Sequence, residues 1–197
     1  MKKQSYGEAF SGGRNVSGSL TSLVQAAMIA AIYVVLTLLA NALGLANYAI
    51  QVRFSEALTI LPFFTPAAVP GLFVGCILSN ILTGCLPLDV VFGSLATLLG
   101  ALGTCRIGKM SRQAARTAKD ALHPVKKGIL YKISACLPPI VSNTLIVPFV
   151  LSYVYRFEGS IPYFMLTVGA GEVISCGILG CILLFSLEKY KNILFPA

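Results

Sequence analysis

The chain of 197 residues is far too apolar for an ordinary soluble domain. Apolar residues make up 56% of it and charged residues only 11%, whereas soluble proteins contain roughly 25% charged residues. A bilayer core about 30 Å thick is crossed by roughly 20 apolar residues of helix, and the sequence supplies that length several times. Its apolar runs lack the two-residue alternation of a membrane β-strand. We therefore predict an all-α protein of the cell membrane, with the lipid bilayer as its main solvent.

The positive charge is concentrated in one part of the chain. The formal net charge is +8, and eight of the fifteen basic residues lie between Arg106 and Lys132. The positive-inside rule predicts such a basic connection to be a cytoplasmic loop, so we do not expect nucleic acid as a partner. The six cysteines stand singly, and His123 is the one histidine. Because the cysteines show neither the spacing of a zinc site nor that of a disulfide scaffold, we expect neither a metal nor a cofactor.

Six transmembrane helices are predicted in chain order. The first follows a polar stretch, residues 1–19, and is longer than the apolar region of a signal peptide, which has about 7–15 residues. Pro62, Pro66 and Pro70 each remove a backbone donor, so they are predicted to form a bend between the second and third spans. The third span is short for a bilayer. The predicted spans are residues 20–43, 53–61, 71–83, 89–105, 128–154 and 160–187.

Together these spans are predicted to form one membrane domain, residues 20–190. Residues 1–19 are expected to be a flexible cytoplasmic tail, 106–127 a basic cytoplasmic loop, and 191–197 a short cytoplasmic C-terminus. With both termini inside, thirteen basic residues lie on the cytoplasmic side and two, Arg53 and Arg156, lie outside. This asymmetry follows the positive-inside rule and favours an even number of spans.

Polar side chains at membrane depth are the candidates for a binding site, because each is costly there unless it is paired. Glu172 lies well inside the sixth span, which has no basic residue, so its carboxylate needs a partner or a proton. Two simpler interpretations stay open. The amides can merely link helices, and Arg53 and Glu56 can form a surface ion pair. The candidate site residues are Arg53, Glu56, Asp89, Asn143 and Glu172.

Small residues in the first span form a candidate contact surface. Ala26, Ala27, Ala30 and Ala31 make two interleaved pairs with a spacing of four residues. Such pairs let another helix approach closely in lipid. The partner helix can belong to another protein or to this chain, and the pattern alone does not distinguish the two.

Three short segments resemble the QueT family. They read QVRFSEAL at 51–58, LPFFTPAA at 61–68 and FGSLATL at 92–98, and the likeness covers about residues 20–190. Members of this family are substrate-binding (S) components of energy-coupling factor (ECF) transporters, assigned to queuosine precursors. The resemblance therefore implies the six-helix fold that S components share, including those that bind riboflavin.

The same resemblance implies partners and roles. An S component works with one membrane T component and two ATP-binding cassette subunits that hydrolyse ATP, so this chain is not expected to be an enzyme itself. The four alanines would contact the T component, and the five candidate site residues would bind a deazapurine near the outer face. The alternatives are an S component for another heterocycle, of the flavin or pyridoxine type, and an intramembrane enzyme. Isolated cysteines and a single histidine disfavour the enzyme.

Overall fold

The computed structural model describes residues 13–44, 52–117 and 124–195. Within these ranges the chain forms helices and short connections and no strand, which confirms the predicted all-α class. The helices are α1 (Gly13–Ala42), a 3₁₀ helix (Phe54–Phe63), α2 (Ala68–Leu82), α3 (Pro87–Thr117), α4 (Pro124–Ser134), α5 (Leu137–Phe149), α6 (Ile161–Glu172), α7 (Gly180–Glu188) and α8 (Lys191–Leu194), with π-helical stretches at Val150–Val154 and Val173–Leu179.

Four helical segments among the described residues are long and apolar enough to cross a bilayer. They are Gly18–Ala42, Pro87–Thr117, Gly128–Val154 and Ile161–Glu188, and the protein is therefore a multi-pass membrane protein. The second and third predicted spans are also helical, but they have only 10 and 15 residues. At rises of about 2.0 and 1.5 Å per residue, each is about 20 Å long, which is short of the bilayer core.

The 3₁₀ helix lies at the centre of the bundle. It contacts α1, α2, α3, α7 and the π-helical stretch after α6. Leu58 and Leu61 pack with Ile29 and Tyr33 of α1 and with Leu72 of α2. A backbone that is not α-helical is tolerated at membrane depth where protein surrounds it. This central position carries the start of the 3₁₀ helix, with two of the candidate site residues, into the interior.

The proline-rich stretch interrupts the helix, as the sequence predicts. The 3₁₀ helix ends at Phe63 and α2 begins at Ala68. The guanidinium of Arg112 on α3 donates a hydrogen bond of 2.5 Å to the Phe63 carbonyl. Helix ends leave backbone carbonyls without an intrahelical partner, so α3 supplies the missing donor at this end.

The fifth predicted span is divided into two helices by its prolines. α4 ends at Ser134, and α5 begins at Leu137 with Pro138 and Pro139 in its first turn. Because Pro139 has no N–H, it cannot bond to the Ala135 carbonyl one turn earlier. The hydroxyl of Thr104 on α3 donates to that carbonyl instead, at 2.8 Å. A neighbouring helix thus pairs a carbonyl that the prolines leave free, as expected at membrane depth.

Two predicted boundaries are wrong. α3 continues to Thr117, so residues 106–117 are helix rather than the start of a loop. α1 begins at Gly13, so residues 13–19 are helical rather than part of a flexible tail. Both helices extend past their apolar segments because polar side chains are compatible with helix in water, and hydropathy marks only the part in the membrane. Residues 1–12 of the predicted tail and 118–123 of the predicted loop lie outside the described residues.

The contact between α1 and α2 depends on small residues on both helices. A Cβ added to Gly71 would lie 2.6 Å from the carbonyl oxygen of Ala26, and one added to Gly75 would lie 3.1 Å from the Cα of Ala30. The Gly75 Cβ would also lie 2.9 Å from the Cβ of Tyr33, so neither position accepts a larger residue unless the helices shift. Ala27 and Ala31, by contrast, are exposed on α1. The four alanines therefore divide into an internal pair and an exposed pair.

Candidate functional site

A cavity of about 560 Å³ opens at one end of the bundle. Pockets for small ligands usually measure about 300–1,000 Å³. The cavity lies where α1 and α2 end and where α3 and α6 begin, and the basic extension of α3 is at the opposite end. Its lining combines charged, amide and hydroxyl groups with aromatic rings, among them Arg53, Asn80, Asp89, Tyr155, Phe164 and Thr167.

Arg53 is positioned by the start of the 3₁₀ helix. Its backbone is extended, with φ −111° and ψ 110°, and its N–H donates to the hydroxyl of Ser175 at 3.1 Å. Its side chain lines both the cavity and a small cleft that adjoins it. The guanidinium interacts electrostatically with Glu56, Asp89 and Glu172, and it forms no ion pair within 4.0 Å among the described residues. It is therefore a charged group that still has donors for a ligand.

Glu172 and Asn143 line the small cleft together with Arg53. The side chain of Glu172 is 8% exposed, and its Oε2 accepts a hydrogen bond of 3.0 Å from the Cys176 thiol. The π-helical stretch that begins at Val173 follows this carboxylate directly. Such local widenings of a helix occur frequently at functional sites. Gly93 of α3 forms another wall, and the cleft is narrow, with a volume of about 10 Å³.

Glu56 lies behind the cavity and does not line it. It is 1% exposed, which rules out the surface ion pair with Arg53. Its Oε1 accepts a hydrogen bond of 2.5 Å from the Tyr33 hydroxyl, and its Oε2 accepts one of 3.5 Å from the amide of Asn143. Because Asn143 lines the cleft, Glu56 orients a cleft residue rather than offering its own carboxylate.

Asp89 lines the cavity from the first turn of α3. Its Oδ2 accepts a hydrogen bond of 2.8 Å from the Tyr155 hydroxyl, whose oxygen accepts the backbone N–H of Leu86 at 3.3 Å. Burial, followed by the hydrogen bond to Asp89, raises the pKa of Tyr155 above its ordinary value. The hydroxyl therefore keeps its proton and donates it toward the carboxylate.

Aromatic side chains form one wall of the cavity. Tyr155 and Phe157 stack with ring centroids 5.5 Å apart, and Tyr163 and Phe164 pack edge to face at 5.7 Å. All four line the cavity. A flat heterocycle can stack against such rings while its polar edge meets hydrogen-bonding groups on the other side. The cavity thus combines a flat aromatic wall with hydrogen-bonding groups.

The charged groups of the site could be recognised in the sequence, but their hydrogen-bond partners could not. Of the five candidates, Arg53 and Asp89 line the cavity, Arg53 also reaches the cleft with Asn143 and Glu172, and Glu56 lies behind them. The missed residues are mostly tyrosine, cysteine and threonine, which are common in membrane helices and carry no signal of their own. An exception is Asn80, a buried amide that lines the cavity and was recognisable as polar at membrane depth. The missed partners include Tyr33, Tyr155 and Cys176.

One cluster has the composition of a metal site. Ligand atoms of Glu56, Glu172 and Cys176 lie within 4.8 Å of one another. The carboxylates already accept hydrogen bonds from Tyr33, Asn143 and Cys176. A cation must displace these donors, and it must also bind beside the guanidinium of Arg53, which interacts with both carboxylates. The arrangement fits a network satisfied by protein groups better than it fits a metal centre.

Comparisons with known proteins agree with one another. A family model described as QueT transporter matches residues 23–189. The queuosine precursor transporter QueT of Lactococcus lactis subsp. cremoris (strain MG1363) is 35% identical over 77 residues, which cover 39% of this chain and 45% of that protein. The aligned region therefore spans less than half of the relative's length. No solved structure matches the chain at a significant level.

Proposed function

This chain belongs to the QueT transporter family, and on that premise we propose that it is the substrate-binding S component of an ECF transporter. In this role it binds a 7-deazaguanine precursor of queuosine at the outer face of the cell membrane. A T component and two ATP-binding cassette subunits then drive uptake with ATP. The chain binds and presents the substrate and catalyses no reaction itself.

The observation that carries this proposal is the cavity with its adjoining cleft. A cavity of about 560 Å³ accommodates a bicyclic base, and its aromatic wall suits a flat ring. It lies at the end of the bundle away from the basic extension of α3. By the positive-inside rule that extension is cytoplasmic, so the cavity faces outward, as an importer's binding site must.

Glu172 is the residue proposed to recognise the ring. The pyrimidinone edge of a deazaguanine presents two adjacent N–H donors, and a carboxylate presents two acceptors in matching geometry. The cleft excludes most water, since Glu172 is 8% exposed. Hydrogen bonds to a charged group contribute about 1.5–3 kcal/mol each. Asn143, held by Glu56, has an amide beside this carboxylate for a further polar contact.

The test is the substitution Glu172→Gln, which keeps the shape of the side chain. It replaces one acceptor with an NH₂ group that points at a donor of the ligand. We expect calorimetry on the purified protein to show 7-deazaguanine ligands binding at least about tenfold more weakly, as loss of one charge-assisted bond predicts. The variant should still insert into the membrane and assemble with its partners.

Glu188→Gln is the matched control. Glu188 lies at the other end of the bundle, where it pairs with Lys132 at 2.6 Å and is about one-third exposed. A partly exposed ion pair contributes little, so this variant should bind the ligand like the wild type. Unchanged affinity in Glu172→Gln would remove the recognition role from Glu172. Absence of binding by any deazaguanine to the wild type would contradict the proposed substrate.

A further inference from the structure

The cavity has an excess of negative charge. Among the described residues, its lining includes one basic side chain, Arg53, and two acidic ones, Asp89 and Glu158. Glu172 adds a third carboxylate in the adjoining cleft. The connection 45–51, which lies outside the described residues, contains no charged side chain in the sequence. A single guanidinium therefore faces several carboxylates, and a positively charged group on a ligand would offset this excess.

Asp89 is the carboxylate best placed to meet that charge. It is 8% exposed and lines the cavity, so it is shielded from bulk water without being enclosed. The Tyr155 hydroxyl fixes its Oδ2. Its Oδ1 would lie 3.4 Å from a Cβ on Gly93, the glycine that walls the cleft. The carboxylate thus stands between the cavity proposed to hold the ring and the cleft lined by Glu172.

A helix N-terminus and a hydroxyl donor surround the carboxylate of Asp89. It occupies the first turn of α3, where the partial positive charge of a helix N-terminus stabilises a carboxylate. The Tyr155 hydroxyl, which accepts the Leu86 N–H, donates its own proton to Asp89. Glu158, at the exposed rim, has the exposed Arg156 two residues before it, so the charges of this rim segment largely offset each other and the selection depends on Asp89.

We propose that Asp89 selects, among 7-deazaguanine molecules, those whose side group is a protonated amine over those whose side group is neutral. This inference rests on the proposed function and deepens it, because Glu172 reads the ring edge that both kinds of ligand share. Asp89 reads the substituent in which they differ. Specificity of this kind arises because a buried carboxylate gains a partner from one ligand and none from the other.

The experiment compares two probes of nearly equal size by calorimetry on detergent-purified protein. One is 7-aminomethyl-7-deazaguanine, a cation at neutral pH, and the other is 7-cyano-7-deazaguanine, which is neutral. The wild type should bind the amine at least about tenfold more tightly, as one charge-assisted contact predicts. In Asp89→Asn the preference should fall to about twofold or less, through weaker binding of the amine.

Two further variants separate selection by charge from a structural role. Tyr155→Phe removes the hydrogen bond to Asp89 but keeps the carboxylate, so it should keep a preference for the amine. Glu188→Gln removes a carboxylate from the far end of the bundle and should leave the preference unchanged. If Asp89 only anchors the start of α3, Asp89→Asn and Tyr155→Phe will weaken both probes alike.

The outcomes distinguish this inference from the proposed function. Equal affinity of the wild type for the two probes overturns the role of Asp89, whether or not Asp89→Asn folds, and leaves the proposed function standing. Equal weakening of both probes in Asp89→Asn also overturns it. If neither probe binds the wild type, the proposed function and this inference both fail.

Discussion

The shape of the cleft depends on the size of its residues, and its electrostatics depend on their charge. Gly93 forms part of the wall of the cleft, and a Cβ at this position would lie 3.3 Å from the amide nitrogen of Asn80 and 3.4 Å from Oδ1 of Asp89. Both distances are tight, but a small shift of the Asn80 and Asp89 side chains would relieve them. A methyl group here would narrow the cleft without breaking the helix.

We therefore predict that Gly93→Ala separates binding from stability. Alanine favours a helix interior over glycine by about 1 kcal/mol, which offsets the tight contacts, so the thermal midpoint without ligand should change little. If the ligand's polar edge reaches the cleft, affinity should fall about fivefold or more, because an overpacked contact costs about 1–3 kcal/mol. Thermal unfolding and calorimetry on the same preparation measure the two effects.

Gly128→Ala is the control for this substitution. Gly128 lies in α4, and a Cβ there has nothing within 4 Å. The same change of residue should therefore leave ligand binding intact. Wild-type affinity in Gly93→Ala would show that the ligand does not enter the cleft.

The candidate residues could be found from the sequence because charge at membrane depth is rare. Asp89 and Glu172 stand out on that ground alone. The sequence could not show that Glu56 faces away from the cavity, because its orientation follows from the hydrogen bond to Tyr33, 23 positions earlier in the chain. Hydrogen-bond partners of this kind are set by packing, and hydroxyl groups give no periodic signal.

At the scale of helices, hydropathy predicted where helices occur better than it predicted their type. The 3₁₀ helix and the two π-helical stretches differ from α-helix in which carbonyl each N–H reaches. That choice depends on neighbouring helices and on prolines such as Pro62 and Pro148. The sequence did predict the interruptions themselves, because a proline removes a donor wherever it stands.

We predict that enlarging the exposed alanines of α1 affects transport, whereas enlarging an internal one affects folding. Ala27→Leu or Ala31→Leu adds volume to an exposed face, so each should leave ligand binding unchanged. If this face contacts the T component, the added volume should weaken association about fivefold or more, since overpacking a contact costs about 1–3 kcal/mol. Co-purification with the ECF subunits and uptake into cells measure this effect.

Two comparison variants make this test specific. Met28→Leu changes a neighbouring exposed residue, 60% accessible on α1, with almost no change of volume, and should assemble normally. Ala30→Leu would collide with Gly75 of α2 and should lower stability in detergent even without partners. Normal uptake with Ala27→Leu and Ala31→Leu would assign the exposed alanines to the lipid.

The whole molecule has two chemically different ends. One end holds the cavity, with the C-terminal ends of α1 and α2 and the first turn of α3. The other holds the basic extension of α3 and the ion pair between Lys132 and Glu188. α3 has 31 residues and is about 46 Å long at 1.5 Å per residue, so it exceeds the bilayer core by several turns. Because the basic part of α3 extends beyond the bilayer core, the two ends of the molecule differ more in charge than they would with a short loop.

This polarity predicts the orientation in the membrane, which labelling of single cysteines can test. Gln113 is exposed on the extension of α3, and Glu158 is exposed at the rim of the cavity. In a protein whose six native cysteines are replaced, Gln113→Cys should resist an impermeant thiol reagent applied to intact cells. Glu158→Cys should react with it. Breaking the cells should make Gln113→Cys reactive, because the basic segment is then accessible. Labelling of Gln113→Cys in intact cells, with Glu158→Cys protected, would reverse the orientation and place the cavity on the cytoplasmic side, where it cannot take up an external substrate.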